Sequence, residues 1–138
     1  MSDLVEFVVY SEPASKANSR RLLTNRATGK PLFAKSKKAL AYVKAFALQC
    51  PQINPPIEAD VSVTITIYYA SRRPDLDESV ILDCMQSVVH IDKQTKARTL
   101  VRNNIYLNDR QVKEKHIYWG LDKKNPRCEI KVEALPII

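Results

Sequence analysis

Residues 61–69 alternate between apolar and polar side chains, and this run limits the possible folds more than any other. The apolar positions are Val61, Val63, Ile65, Ile67 and Tyr69, with Ser, Thr or Tyr at each position between them. Strict alternation over nine residues predicts a β-strand that buries one face. Such a strand needs other strands beside it and a second layer over its apolar face.

Other parts of the chain are predicted to supply these neighbours. Residues 4–10, 105–119 and 127–135 are rich in β-branched and aromatic residues and are predicted as strands. Residues 36–50 are predicted as a helix that Ser36 caps and the PQINPP segment ends, with Leu40, Val43, Ala47 and Cys50 on one face. The predicted fold class is α+β, a small mixed β-sheet of about four strands with two helices.

The second helix is predicted over residues 77–89, where Val80, Cys84 and Val88 are spaced at i, i+4 and i+8. Two segments lack a regular pattern. Residues 11–35 are polar and basic and are predicted as a long loop, and residues 90–104 have mixed charge and are predicted as an exposed inserted loop. A length of 138 residues suits a single domain over residues 1–138.

Positive charge is concentrated near the start of the chain. The whole chain carries +7, and residues 12–44 contain nine Lys and Arg against one acid, Glu12. This local excess predicts a surface that binds phosphates, as in proteins that contact nucleic acid. The candidate DNA-contacting residues of this segment are Lys16, Arg20, Arg21, Arg26, Lys30, Lys35, Lys37 and Lys38.

The cysteines and the hydropathy indicate the cellular compartment of the protein. Cys50, Cys84 and Cys128 are odd in number and far apart, so neither a disulfide framework nor a zinc knuckle is expected. No stretch approaches the ~18 consecutive apolar residues of a membrane span, and the N-terminus lacks the features of a secretory signal. We expect a cytoplasmic protein without a membrane partner.

Two aspartates directly follow the alternating strand. Pro74 favours extended backbone before it, and in extended chain Asp75 and Asp77 point to the same side, roughly 6 to 7 Å apart at their α-carbons. Two neighbouring carboxylates repel each other unless a cation lies between them, and Mg²⁺ prefers such oxygen ligands. Asp109, after a strand-like run, is a candidate third carboxylate at the same end of the sheet.

Three carboxylates beside basic residues are what metal-assisted phosphodiester cleavage requires, because the metal activates a water and stabilises the leaving oxygen. A structural role is the alternative. Asp75 or Asp77 could cap the following helix, and Asp109 could be an ordinary turn residue.

The segments RRPDLDE and IYLNDRQV, in this order with a helix between them, resemble the RusA family of Holliday junction resolvases. That family has an R-x-D-L-D-N segment and a later D-D-x-Q-V segment, and the resemblance is strongest over residues 72–115. It implies a homodimeric, Mg²⁺- or Mn²⁺-dependent endonuclease that resolves four-way DNA by paired nicks during recombination or repair in a bacterial or phage-infected cell. Asp75, Asp77 and Asp109 match the family's metal-binding aspartates.

The resemblance also suggests roles for further basic residues. Arg72 and Arg73 would approach the cleaved strand, and the segment 16–38 would follow the phosphates. Where the family commonly has a catalytic Lys, four residues after the second aspartate, this chain has Ile81. Either this function is lost, or Lys113 or Lys115 on the strand after Asp109 supplies the charge.

Two smaller departures from the family pattern leave the three aspartates intact, namely Glu78 for Asn and Asn108 for the first acid of the D-D pair. The expected function is a crossover junction endodeoxyribonuclease. The alternative is a non-catalytic module that binds branched or single-stranded DNA with a resolvase-like fold.

Overall fold

The computed structural model of the chain describes residues 4–13, 20–24, 27, 29 and 31–136. The strands are β1 (Leu4–Val9), β2 (Arg20–Thr24), β3 (Pro31–Lys35), β4 (Val61–Tyr69), β5 (Val88–Ile91), β6 (Arg98–Arg102), β7 (Val112–Leu121) and β8 (Arg127–Ala134). The helices are α1 (Lys37–Gln49) and α2 (Ser79–Cys84), and a 3₁₀ turn covers Asp109–Gln111. The predicted α+β class is confirmed.

A mixed four-stranded sheet forms the centre of the molecule, in the order β1-β8-β4-β7. Strand β8 is antiparallel to both β1 and β4, whereas β4 and β7 are parallel. Because parallel neighbours need a crossover connection, the chain between β4 and β7 leaves the sheet, and it contains α2 and the β5–β6 hairpin. Both candidate aspartate segments lie at the ends of this crossover.

The alternating run behaves as its pattern predicts. Every apolar side chain of β4 is fully buried, and the polar residues between them are partly exposed. Tyr42 and Phe46 of α1, Ile81 of α2 and Met85 directly after α2 belong to the same buried cluster as the apolar face of β4. The helices therefore cover one face of the sheet.

Helix α1 has the predicted bounds but not the predicted buried face. The Ser36 hydroxyl accepts a hydrogen bond from the Ala39 amide, and Cys50 is the C-cap, directly before Pro51. The buried residues are Ala39, Tyr42 and Phe46, together with Cys50, whereas Leu40 is 48% exposed. Of the predicted face, Cys50 is buried and Val43 and Ala47 are half-buried, so the prediction was wrong for Leu40. It also missed the two aromatic residues of α1 that join the core cluster.

Helix α2 is shorter than predicted, with six residues instead of a helix over 77–89. The chain leaves the helix because residues 85–87 pair with residues 105 and 106. Ile105 N–H donates to Met85 C=O, and Ser87 N–H donates to Tyr106 C=O. Val88, predicted on the helix, begins β5 instead.

The two predicted loops contain β-hairpins. Residues 11–35 include β2 and β3, paired antiparallel from Arg20 with Lys35 to Thr24 with Pro31. Residues 90–104 include most of β5 and β6, which form a separate two-stranded sheet. Charges interrupt the apolar alternation in both segments, and a hairpin outside the main sheet does not need that alternation.

The strand predicted over residues 105–119 begins later, at Val112. Tyr106 forms isolated bridges with Ile57 and Gln86, and the 3₁₀ turn follows. Asn108 caps this turn and Gln111 completes a capping box, since the Gln111 side chain accepts the Asn108 amide. This local capping holds residues 108–111 out of the sheet.

Candidate functional site

The loop over residues 70–78 carries the first two candidate aspartates, and buried groups hold its backbone. The Tyr69 hydroxyl donates to the Asp75 carbonyl at 3.0 Å and accepts from the Asp77 amide at 3.3 Å. The Ala70 amide donates to Glu12 Oε2 at 2.7 Å. Burial raises the pKa of the Tyr69 hydroxyl, so it stays a neutral donor at ordinary pH.

Asp77 has a local structural role. Its Oδ1 atom accepts hydrogen bonds from both the amide and the hydroxyl of Ser79, the first residue of α2. The N-cap residue itself, Glu78, makes no capping bond with its side chain. Asp77 therefore has the capping role that the sequence offered as an alternative to metal binding. Its carboxylate accepts an amide at the helix start that has no partner within the helix.

A lysine from β7 reaches the same helix start. Lys115 Nζ lies 3.3 Å from Glu78 Oε2, and about half of the Lys115 side chain is exposed. Trp119 lies four residues further along β7, and its ring centroid is 6.2 Å from that of the Tyr69 ring. Strand β7 thus lies along the loop that contains Asp75 and Asp77.

The basic residues around this loop are accessible. Arg72, Arg73 and Asp75 are exposed, and so is Lys113 near the start of β7. Ile81, at the position where the resemblance expects Lys, is fully buried in the core. A lysine side chain at position 81 would therefore point into the apolar layer between α2 and the sheet.

Asp109 lies at the other end of α2. Its amide donates to Gln86 Oε1 at 3.0 Å, and Gln86 follows the helix by two residues. Burial raises the pKa of Tyr106, and the charges of Asp109 and Asp83 raise it further, so both carboxylates lie near this ring. The Tyr106 hydroxyl donates to the Leu82 carbonyl.

The three candidate aspartates are consequently not brought together. Asp77 precedes α2 and Asp109 is tied to the residue beyond its end, and a helix of six residues is about 9 Å long. Over the part of the chain that the structure describes, no three His, Cys, Asp or Glu side chains form a group that could hold a metal ion. A metal at the loop over residues 70–78 would have Asp75 and Asp77 as its candidate carboxylate ligands, whereas Asp109 lies beyond α2.

The predicted basic surface is only partly described. Lys37 and Lys38 are exposed in the first turn of α1, and Lys38 pairs with Glu12 at 3.2 Å. Arg20 and Arg21 lie on β2, and Lys35 lies opposite Arg20 on β3. The remaining three, Lys16, Arg26 and Lys30, lie outside the described residues.

Sequence reasoning missed the glutamines and tyrosines that position the aspartate segments. Gln111 Nε2 donates to the carbonyls of Ile57 and Ala59, which ties the NDRQV segment to the chain before β4. The spacing of Asn108 and Gln111 was a detectable signal, because an N-x-x-Q pattern is typical of a capping box. Tyr69 and Tyr106 gave no signal, since their hydroxyls bond to backbone groups, which leave no pattern in the sequence.

Models of known protein families and curated protein sequences give no match to this chain. No helix among the described residues is long and apolar enough to cross a membrane.

Proposed function

We propose that this protein acts on branched DNA as a metal-dependent endonuclease of the RusA type, which resolves four-way junctions by paired nicks. The observation that carries the proposal is the RRPDLDE loop, whose backbone is hydrogen-bonded to Tyr69, with exposed Arg72 and Arg73 beside Asp75 and with Lys115 at its helix end. Cations that flank carboxylates at an exposed loop suit a phosphate backbone.

The charge distribution supports the same class of partner. The chain is +7 overall, and its excess of positive charge is concentrated in residues 12–44. The burial of Ile81 and the contact between Lys115 and Glu78 favour the interpretation in which Lys115 substitutes for the family's lysine.

The test is metal-dependent nicking of a synthetic four-way junction in Mg²⁺ or Mn²⁺. Asp75→Asn, Asp77→Asn and Asp109→Asn should each abolish nicking while junction binding survives or strengthens, because they remove negative charge that repels phosphate. Asp60→Asn, an exposed aspartate before β4, is the matched control and should nick normally. Full activity of any of the three variants would remove that residue from the site.

Lys115 has its own test. Lys115→Ala should lower the nicking rate at saturating metal with little effect on stability, since the Lys115 side chain is half exposed. Lys131→Ala, an exposed lysine on β8, is the control. Equal rates for both variants would mean that Lys115 has no part in the chemistry.

A second candidate is the non-catalytic module that binds branched or single-stranded DNA. The observation that favours it is the separation of Asp77 and Asp109 by α2, with no group of three ligands within the described residues. Junction binding without nicking under any divalent metal would select this candidate.

Paired nicks also require two sites. One domain of this size offers one site, so the nuclease should be a homodimer whose two-fold axis matches that of the junction. A monomer in sedimentation experiments, with and without junction DNA, would count against the resolvase and leave the binding module.

A further inference from the structure

The β5–β6 hairpin exposes more apolar surface than its size explains. Its five exposed aliphatic residues have exposed fractions between 40% and 62%; they are Val88, Val89, Ile91, Leu100 and Val101. Val89 lies opposite Leu100, and Ile91 lies opposite Arg98 on the same face. One face of the hairpin is thus an aliphatic ridge, Val89, Ile91 and Leu100, that ends beside an arginine.

The base of the hairpin, in contrast, is held by buried hydrogen bonds. Among the described residues, the buried polar side chains are Ser87 and Asn104, and both flank the hairpin. The Asn104 amide group donates to the carbonyls of Cys84 and Gln86, and its backbone N–H donates to the Ser87 hydroxyl. Buried polar groups with satisfied hydrogen bonds fix one conformation, so this hairpin has a set direction.

Charge defines the tip. Lys93, Lys96 and Arg98 are exposed there. The single acid, Asp92, uses its Oδ1 atom to accept the amides of Gln94 and Thr95 in the turn. The tip is therefore a positive surface next to the aliphatic ridge.

An isolated two-stranded hairpin is marginally stable in water, and clustered exposed aliphatic residues are typical of contact surfaces. Two partners are possible in principle, a second copy of the chain and a nucleic acid. Packing two ridges across a two-fold axis brings together hairpins of like charge, whereas the phosphate backbone complements the positive tip.

We propose that the hairpin is the element that recognises a branch point in DNA, with Lys93, Lys96 and Arg98 on phosphates and the aliphatic ridge against exposed bases. This inference deepens the proposed function and rests on it for the DNA partner. The hairpin also lies close to a candidate site residue, because Gln86 beside the hairpin base accepts a hydrogen bond from the amide of Asp109.

The ridge explains why the partner is branched rather than linear DNA. Aliphatic side chains gain contact with bases only where stacking is broken, and a continuous duplex must be unstacked first. At a branch point the terminal base pair of each arm stacks only on a neighbouring arm, and this stacking breaks more readily than stacking within a continuous duplex. The ridge should therefore give a preference for branched over linear DNA, and the positive tip should add affinity for both kinds of DNA.

The test compares binding to a four-way junction and to a linear duplex of the same sequence. The triple variant Val89→Ser, Ile91→Ser and Leu100→Ser should lose about tenfold or more in junction affinity and little in duplex affinity. The triple variant Lys93→Ala, Lys96→Ala and Arg98→Ala should weaken both and reduce the salt slope by up to about 0.9 per lost phosphate contact.

A matched control and an independent readout keep the result clear. Leu48→Ser replaces an aliphatic residue that is 89% exposed on α1 and should leave both affinities unchanged. In complexes of the unaltered protein, 2-aminopurine at the branch point should brighten as it unstacks, and the same base within an arm should not. This signal does not depend on the variants folding.

Unchanged junction preference in the serine variant, or an unchanged 2-aminopurine signal, would overturn the proposal. A serine variant that keeps its preference but loses self-association would assign the ridge to a contact between copies instead. Ridge-dependent preference without any metal-dependent nicking would support the inference while the endonuclease proposal fails. Nicking without a ridge-dependent junction preference would support the endonuclease proposal and contradict the inference about the hairpin. A lack of binding to any DNA would contradict both proposals.

Discussion

Strand β4 and the β5–β6 hairpin are built from similar residues and have opposite environments. The apolar side chains of β4 have no exposed surface, whereas those of the hairpin have 40% or more. The difference lies in the neighbours, because β4 has strands on both sides and helices over one face, and each hairpin strand pairs only with the other. Aliphatic content alone therefore does not determine burial. In the hairpin it is available for contact with a partner.

The largest expected effect on stability comes from placing a lysine in the core, compared with placing one on the hairpin. Ile81→Lys places an ammonium in the core and should lower the free energy of unfolding by about 4 kcal/mol or more, if the variant folds at all. Leu100→Lys on the hairpin, 44% exposed, should change it by less than about 0.5 kcal/mol. Urea unfolding followed by circular dichroism measures both.

Similar costs for Ile81→Lys and Leu100→Lys would mean that the hairpin is packed as tightly as the core. A stable Ile81→Lys that also nicks faster would return the missing lysine to the chemistry and remove that role from Lys115.

How far the sequence predicted the fold follows from the same contrast. The bounds of β4 and α1 were predictable because strict alternation, the Ser36 cap and Pro51 are local signals. The buried face of α1 was not, since Leu40 and Tyr42 are both apolar and only the sheet below decides which is covered. Both hairpins were missed because charged residues interrupt the apolar alternation in their segments.

The second prediction concerns the hairpin base. Asn104→Ala leaves the carbonyls of Cys84 and Gln86 without this donor and should cost about 1–3 kcal/mol in unfolding free energy. Asn103→Ala is the control, because the buried Asn103 Oδ1 has no hydrogen-bond partner among the described residues, and it should cost less. Hydrogen exchange should show that Asn104→Ala also frees the amides of β5 and β6.

If Asn103→Ala proves the more damaging change, or if β5 and β6 exchange no faster in Asn104→Ala, the hairpin is not fixed through Asn104. Its direction would then not be set by the core.

The candidate site was predictable in part. The sequence identified the two aspartate segments, and the structure adds that α2 separates them and that Tyr69 and Gln86 hold their backbones. The Lys115–Glu78 contact could not be predicted, because it depends on the parallel pairing of β4 with β7. That pairing is formed between residues about fifty apart in sequence, with no local pattern that indicates it.

The third prediction concerns the partly exposed face of the main sheet. A Cβ at Gly120 would lie 2.6 Å from Cδ1 of Tyr68, the residue opposite it on β4, so Gly120→Ala forces the ring to move. The Arg127 guanidinium, 4.0 Å from the centroid of that ring, moves with it. We expect a cost of about 1 kcal/mol.

A double-mutant cycle identifies the cause of that cost. Gly120→Ala should be nearly neutral in a Tyr68→Ala background, because the clash is with the ring. An unchanged cost there would place the strain in the backbone of β7.

The smallest expected effect is the pH dependence of the hairpin turn. The amides of Thr95 and Gln94 donate to Asp92 and hold the pKa of this carboxyl below its ordinary value. A carboxyl whose pKa is lowered by folding stabilises the turn above its unfolded pKa, and this contribution is lost as the pH falls through the lower folded value. The Gln94 and Thr95 amide resonances should therefore titrate below the ordinary pKa of an aspartate. Asp92→Asn should remove that titration, and the amides of β4 should not respond in either protein. Titration of Gln94 and Thr95 at the ordinary aspartate pKa would show that the turn does not depend on this carboxylate, and that the tip lysines are positioned by other contacts.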